Sequence, residues 1–216
     1  MQDQATRILP NLCGFDSRVL GAANQAAPRL RFCARTLTRT IEPKKNHLLV
    51  LHVWRRLVAE LGDTAPKLVL VGARGWENEH IVDMLERCPS IQRHVVEVSG
   101  LETPALRRLL SGARAALMPT FAEGYGLPLV EALAAGTPVI ASDIPVFSEV
   151  GGDFIVRLDP TDGPAWQRTI LEFSQEPSPE RRKQQVALAR YRPPAWEPFF
   201  TSIEDFITDL PLRRPS

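Results

Sequence analysis

The sequence predicts a doubly wound α/β domain built on a parallel sheet of about six strands. From Leu30 onward, short apolar runs alternate with amphipathic stretches, joined by short connections rich in Gly and Pro. Strands that alternate with helices in this way pair in parallel through right-handed crossovers. A ligand then belongs beyond the carboxyl ends of the strands.

Residues 1–30, punctuated by Pro10, Gly14, Gly21 and Pro28, read as a linker or edge segment ahead of a domain at 31–190. Candidate strands are Arg31–Leu37, Lys67–Val71, His94–Val98, Ala115–Met118, Pro138–Ala141 and Phe154–Val156. Asn46 is placed to cap a helix in which Leu51, Trp54, Leu57, Val58 and Leu61 recur at three and four, with Gly62 past its end. Thr103-Pro104 reads as cap and first-turn proline for Ala105–Leu110. Pro128 opens a helix that Gly136 closes, and Pro164–Phe173 and Pro179–Ala189 form two more. The tail, 191–216, carries Trp196, Phe199, Phe200, Ile203, Phe206 and Ile207 as a helical apolar stripe after Pro193-Pro194. That stripe is expected to fold onto the domain or to drive a weak homodimer.

The 216 residues carry 26 Lys+Arg against 25 Asp+Glu, a net charge of +1, which gives no basic excess for nucleic acid. Hydrophobic residues at 44% exclude a disordered chain, and no apolar run is long enough to span a membrane. The start shows no secretory pattern, and Cys13, Cys33 and Cys88 are odd in number and far apart. Both features point to a cytoplasmic protein with reduced thiols. His47, His52, His80 and His94 lack ligand spacing, so neither metal nor cofactor is expected.

The chemistry concentrates in Pro119-Thr120-Phe121-Ala122-Glu123-Gly124-Tyr125-Gly126-Leu127-Pro128-Leu129-Val130-Glu131. Gly124 and Gly126 allow main-chain amides to turn toward a ligand. The helix that follows adds unsatisfied N–H donors and a partial positive charge, a setting for a diphosphate. Glu123 and Glu131 cannot be phosphate ligands; they suit hydroxyls of sugars on either side of one. The plainer reading is a helix start in which Gly turns the chain and Glu caps free N–H groups.

The frame P-T-x-x-E-G-Y-G-L-P-L-V-E-A-L-A-A-G-T-P-V-I-A-S-D resembles the signature of glycosyltransferase family 4, the group 1 retaining enzymes. Thr40-Ile41-Glu42-Pro43-Lys44-Lys45-Asn46-His47 is similar to a segment of its mannosyltransferase-like branch, with Arg39 where the family usually has Gly. Val71-Gly72 and Val98-Ser99-Gly100-Leu101 fall where its other loop motifs lie. The resemblance implies a GT-B architecture of two Rossmann-like domains, of which this chain matches the second, the nucleotide-sugar-binding half. The acceptor-binding half is then missing.

Carried over by position, Glu131 would hold ribose hydroxyls and Glu123 hydroxyls of the transferred sugar. The amides of Gly124, Tyr125 and Gly126, with Leu127 beside them, would face sugar and diphosphate. Lys45 would neutralise the diphosphate, and with Glu123 forms the catalytic set. Main-chain groups around Val98 and Leu101 would read the base. Arg39 is either a further phosphate ligand or a solvated strand-end residue; Lys44 reads as surface charge, Glu149 as a capping carboxylate, Met118 and Trp54 as core.

The resemblance thus implies a retaining hexosyltransferase, with mannose from GDP-mannose as donor and a glycan or lipid-linked acceptor. Peripheral membrane association of the full enzyme goes with it. The alternative is a non-catalytic nucleotide-sugar-binding module that acts through a separate acceptor-domain partner.

Overall fold

The computed structural model of the protein describes residues 33–209. The linker read at 1–30 lies outside them, as does the start of the first strand at Arg31. Six parallel strands form one sheet in the order β3-β2-β1-β4-β5-β6. They are β1 (Cys33–Ile41), β2 (Lys67–Arg74), β3 (Val95–Val98), β4 (Ala115–Met118), β5 (Val139–Ser142) and β6 (Ile155–Leu158). This is the doubly wound order: the chain starts at the centre, winds to one edge, then returns and winds to the other.

Central strands read as unbroken apolar runs because helices cover both faces of the sheet. Leu68–Val71, all of β4 and all of β5 are buried. Period-2 alternation sends Leu68, Leu70, Leu117 and Ile140 to one face. There they meet Val50, Leu51, Trp54 and Leu57 of α1 (His47–Leu61), Ile81 of α2 (Glu79–Arg87), and Ile91 of α3 (Pro89–Gln92). Trp166, Ile170 and Phe173 of α7 (Gly163–Ser174) complete that layer.

Ala116, Met118, Val139 and Ala141 face the other way. They pack on Leu110 of α4 (Thr103–Gly112), Leu129 and Leu133 of α5 (Leu127–Ala134), Phe147 of α6 (Pro145–Gly151), and Leu188 of α8 (Pro179–Leu188). The buried indoles find partners: Trp54 Nε1 donates to the Pro66 carbonyl at 2.8 Å and Trp166 Nε1 to that of Asp159 at 2.9 Å.

Several local readings are corrected. α2, α3 and α6 were not expected, because each is short and buries few residues: Ile81 in α2, Ile91 in α3, Phe147 and Gly151 in α6. Glu149 therefore sits exposed within α6 and caps nothing. Glu102, rather than Thr103, holds the N-cap position of α4. Asn46 holds that position in α1, yet its side chain makes no capping bond. The tail does form a helix, α9 (Trp196–Asp209), but Phe199, Phe200, Ile203, Phe206 and Ile207 stay exposed, so the stripe does not fold onto the sheet domain.

Candidate functional site

At the carboxyl edge the strand order reverses between β1 and β4, so the loops that follow these strands diverge and open a crevice. A groove of about 630 Å³ lies there. Its walls come from four places in the chain: Thr40 to Lys45 after β1, Val71 to Ala73 of β2, Gly100 to Leu106 around the start of α4, and Glu123 to Glu131.

Lys45 and Glu123, 78 residues apart, meet there as an ion pair. Both are mostly shielded, with side chains 13% and 21% exposed, so the pair is less screened than one in open solvent. The main chain holds the two loops in register. The Lys44 carbonyl accepts the Phe121 N–H and the Thr120 hydroxyl, each at 2.8 Å. The Thr120 hydroxyl also lies 2.7 Å from the Ala122 carbonyl and shares its proton between the two.

Gly126 supplies the turn that starts α5. Its φ of +85° suits only glycine, and a Cβ there would sit 3.0 Å from the Phe147 ring. The N-terminus of α5 consequently opens on the groove beside Glu123, with Tyr125 and Leu127 exposed in the wall and Glu131 one turn further on. In this first turn Pro128 carries no N–H and the Leu129 N–H donates to the Gly126 carbonyl at 2.8 Å, so the Leu127 N–H and the positive end of the helix dipole are what favour an anion.

Among the residues singled out in the sequence, Lys45, Glu123, Tyr125, Gly126, Leu127, Glu131 and Leu101 line the groove. Gly124 is exposed and stands outside the lining. Val98 ends β3 opposite Val71 and packs with Val69 and Val71, so the groove begins two residues beyond it, at Gly100. Arg39 lies in β1, and its side chain falls outside the described residues. Lys44 pairs with Glu42 at 3.3 Å and is 56% exposed.

Thr40 and Glu42 belong to the groove and were missed as site residues. The Thr40 hydroxyl donates to Glu42, and this bond, followed by the nearby lysines, holds the Glu42 carboxyl below its usual range against the effect of burial. Only the T-I-E-P frame itself signalled them. His47 is buried at the start of α1, and burial lowers its pKa to about 4, so it is neutral and is no phosphate cation. Among the described residues, no cluster of three or more His, Cys, Asp or Glu is placed to hold a metal. No helix among them is long and apolar enough to cross a membrane.

Comparison with known proteins places the fold and the family. The family model described as "Glycosyl transferases group 1" matches residues 37–191. The O-antigen chain mannosyltransferase B of Escherichia coli is 32% identical over 158 residues, 73% of this chain and 41% of that protein. The phosphatidyl-myo-inositol mannosyltransferase of Mycolicibacterium smegmatis is 31% identical over 134 residues, 60% of this chain and 33% of its own. The chain thus spans well under half the length of these relatives.

Among solved structures, the pneumococcal O-GlcNAc transferase GtfA in complex with UDP and GlcNAc superposes with a TM-score of 0.66 at 18% identity, over 84% of this chain and 37% of that one. Anabaena Alr3699/HepE in complex with UDP gives 0.63 at 17%, over 83% and 49%. These two share the fold. The match across most of the sheet domain and the run of mannosyltransferase relatives make this chain a member of the group 1 glycosyl transferases, in their mannosyltransferase-like branch.

Proposed function

We propose that this chain is the donor-binding domain of a retaining glycosyltransferase that moves a hexose, mannose from GDP-mannose, to a glycan or glycolipid acceptor. The observation that carries the reading is the convergence of Lys45, Glu123 and Glu131 on one groove beside the N-terminus of α5. A cation and a helix N-terminus suit a diphosphate, while the two carboxylates suit the hydroxyls on either side of it. Lys45 and the N-terminus of α5 would stabilise the negative charge that develops on the leaving diphosphate. The choice of mannose is supported by the names of the relatives.

Calorimetry with GDP, UDP, ADP and GDP-mannose tests the reading. GDP is expected to bind more tightly than UDP or ADP. Glu131→Ala should weaken GDP and GDP-mannose alike, by roughly 1.5–3 kcal/mol, the range for hydrogen bonds to a charged group. Glu123→Ala should weaken GDP-mannose more than it weakens GDP, since it removes the sugar contact as well as the partner of Lys45. If no diphosphate binds at millimolar concentration, the donor-site reading is wrong; equal effects of Glu123→Ala on both ligands would remove the sugar-binding role of Glu123.

A further inference from the structure

We infer that Asn46 is a positioning residue: its side-chain amide ties the loop after β1 to the loops after β4 and β6, and so sets the Lys45 ammonium against Glu123. The inference deepens the proposed donor site and rests on that reading for its consequence in binding.

Both N–H groups of the Asn46 amide are used. Nδ2 donates to the Pro119 carbonyl at 3.0 Å and to the Pro160 carbonyl at 2.8 Å. Pro119 directly follows β4 and opens the loop that carries Glu123; Pro160 lies in the loop after β6. Asn46 is itself buried and adjoins Lys45 in sequence. The bonds from the Thr120 hydroxyl and the Phe121 N–H to the Lys44 carbonyl act on the same pair of loops from the other side of Lys45. The cation is therefore gripped at both neighbours, and its stem has little freedom to leave Glu123.

This arrangement has two local costs. Asn46 stands at the N-cap of α1 with its side chain turned away from the helix amides, so α1 begins without a side-chain cap. Its backbone is also left-handed, φ 54° and ψ 36°, which few residues other than Gly tolerate. A serine or aspartate would cap α1 but has no pair of N–H donors for two carbonyls. A glycine would relax the backbone and leave both carbonyls without this donor. Asparagine alone meets both demands, and what it secures is the relation between three loops of the site rather than the helix it begins.

The test separates positioning from plain stability. Asn46→Gly keeps the left-handed backbone and deletes the donors; Asn46→Asp keeps the shape and deletes the donors, and serves if the first fails to fold. Urea unfolding of Lys45→Met, Glu123→Gln and the double variant measures the coupling of the pair without any ligand. That coupling is expected in the Asn46 background and absent in the Asn46→Gly background. With GDP as the probe, Asn46→Gly should weaken binding about tenfold on its own and less than about twofold on top of Lys45→Met, because it acts through Lys45. Coupling that is unchanged by Asn46→Gly, coupling absent from the Asn46 background, or an equal loss of GDP affinity with and without Lys45 would each overturn the inference. A protein that binds no GDP, yet loses the Lys45–Glu123 coupling on Asn46→Gly, would sink the donor-site reading and leave the positioning role standing.

Discussion

His47 shows how one buried group couples folding stability to pH. Burial holds its pKa at about 4 in the folded chain, against 6.5 when exposed. Above pH 6.5 the imidazole is neutral in both states and adds no pH dependence. Between pH 6.5 and 4 the unfolded chain takes up a proton that the folded chain refuses, so stability falls as pH falls, by at most about 3 kcal/mol. Urea midpoints across this range should show that slope, and His47→Gln should reduce it, leaving the part due to His52 and His94, whose pKa values burial also lowers. Gly126 shows the same dependence on a single position in steric form. Its φ of +85° strains any residue with a Cβ, and the Phe147 ring 3.0 Å from a would-be Cβ would have to shift for alanine. Gly126→Ala is expected to lower stability by about 1–3 kcal/mol, through left-handed strain and crowding. It should also weaken GDP, since the start of α5 must shift; wild-type stability and affinity in that variant would refute the assignment.

Helices contribute unequally. α8 is polar along most of its length, yet Gln184 is buried and bonds both main-chain groups of Val139 at the start of β5, accepting from N–H at 3.0 Å and donating to C=O at 2.8 Å. Gln184→Leu would remove both bonds from the interior, a loss of about 2–4 kcal/mol by chemical denaturation. α9 is the opposite case. All its described side chains are exposed, and Phe206 and Ile207 are more than half so. Truncation after Arg192 should therefore change the melting temperature by less than about 2 °C, because the described side chains it removes from α9 are exposed. The same truncation should raise solubility, since it removes an exposed apolar stripe. A large drop in melting temperature would mean that α9 packs on the domain in solution.

On the proposed reading the groove supplies the donor, and transfer also needs a surface that aims an acceptor hydroxyl at the anomeric carbon. Positioning of that kind supplies ~7–11 kcal/mol of a barrier. The purified chain is therefore expected to bind a nucleoside diphosphate and to transfer no sugar to added mannosides, measured by release of GDP from GDP-mannose with and without acceptor. Robust transfer by this chain alone would contradict that expectation. Transfer restored by a separately expressed acceptor domain would favour the reading in which the chain works as a module with a partner.

Local patterns alone determined the layered architecture. Apolar runs such as Leu68–Val71 and Ala115–Met118 read as strands because a strand buried on both faces must be apolar at every position, and that condition is written along the chain. Glu123, Gly126 and Glu131 were legible for a similar reason, since their relation is one of spacing within a single strand-loop-helix unit. Short helices such as α2 and α6 escaped because one or two buried residues leave too faint a period to read. Only the tertiary structure decided that Lys45 meets Glu123 and that Asn46 gives up its cap to hold Pro119 and Pro160. Those contacts join segments 73 to 114 residues apart, and hydrogen bonds and ion pairs between distant loops leave no period in a sequence. They exist because a parallel sheet gathers the carboxyl ends of its strands along one edge.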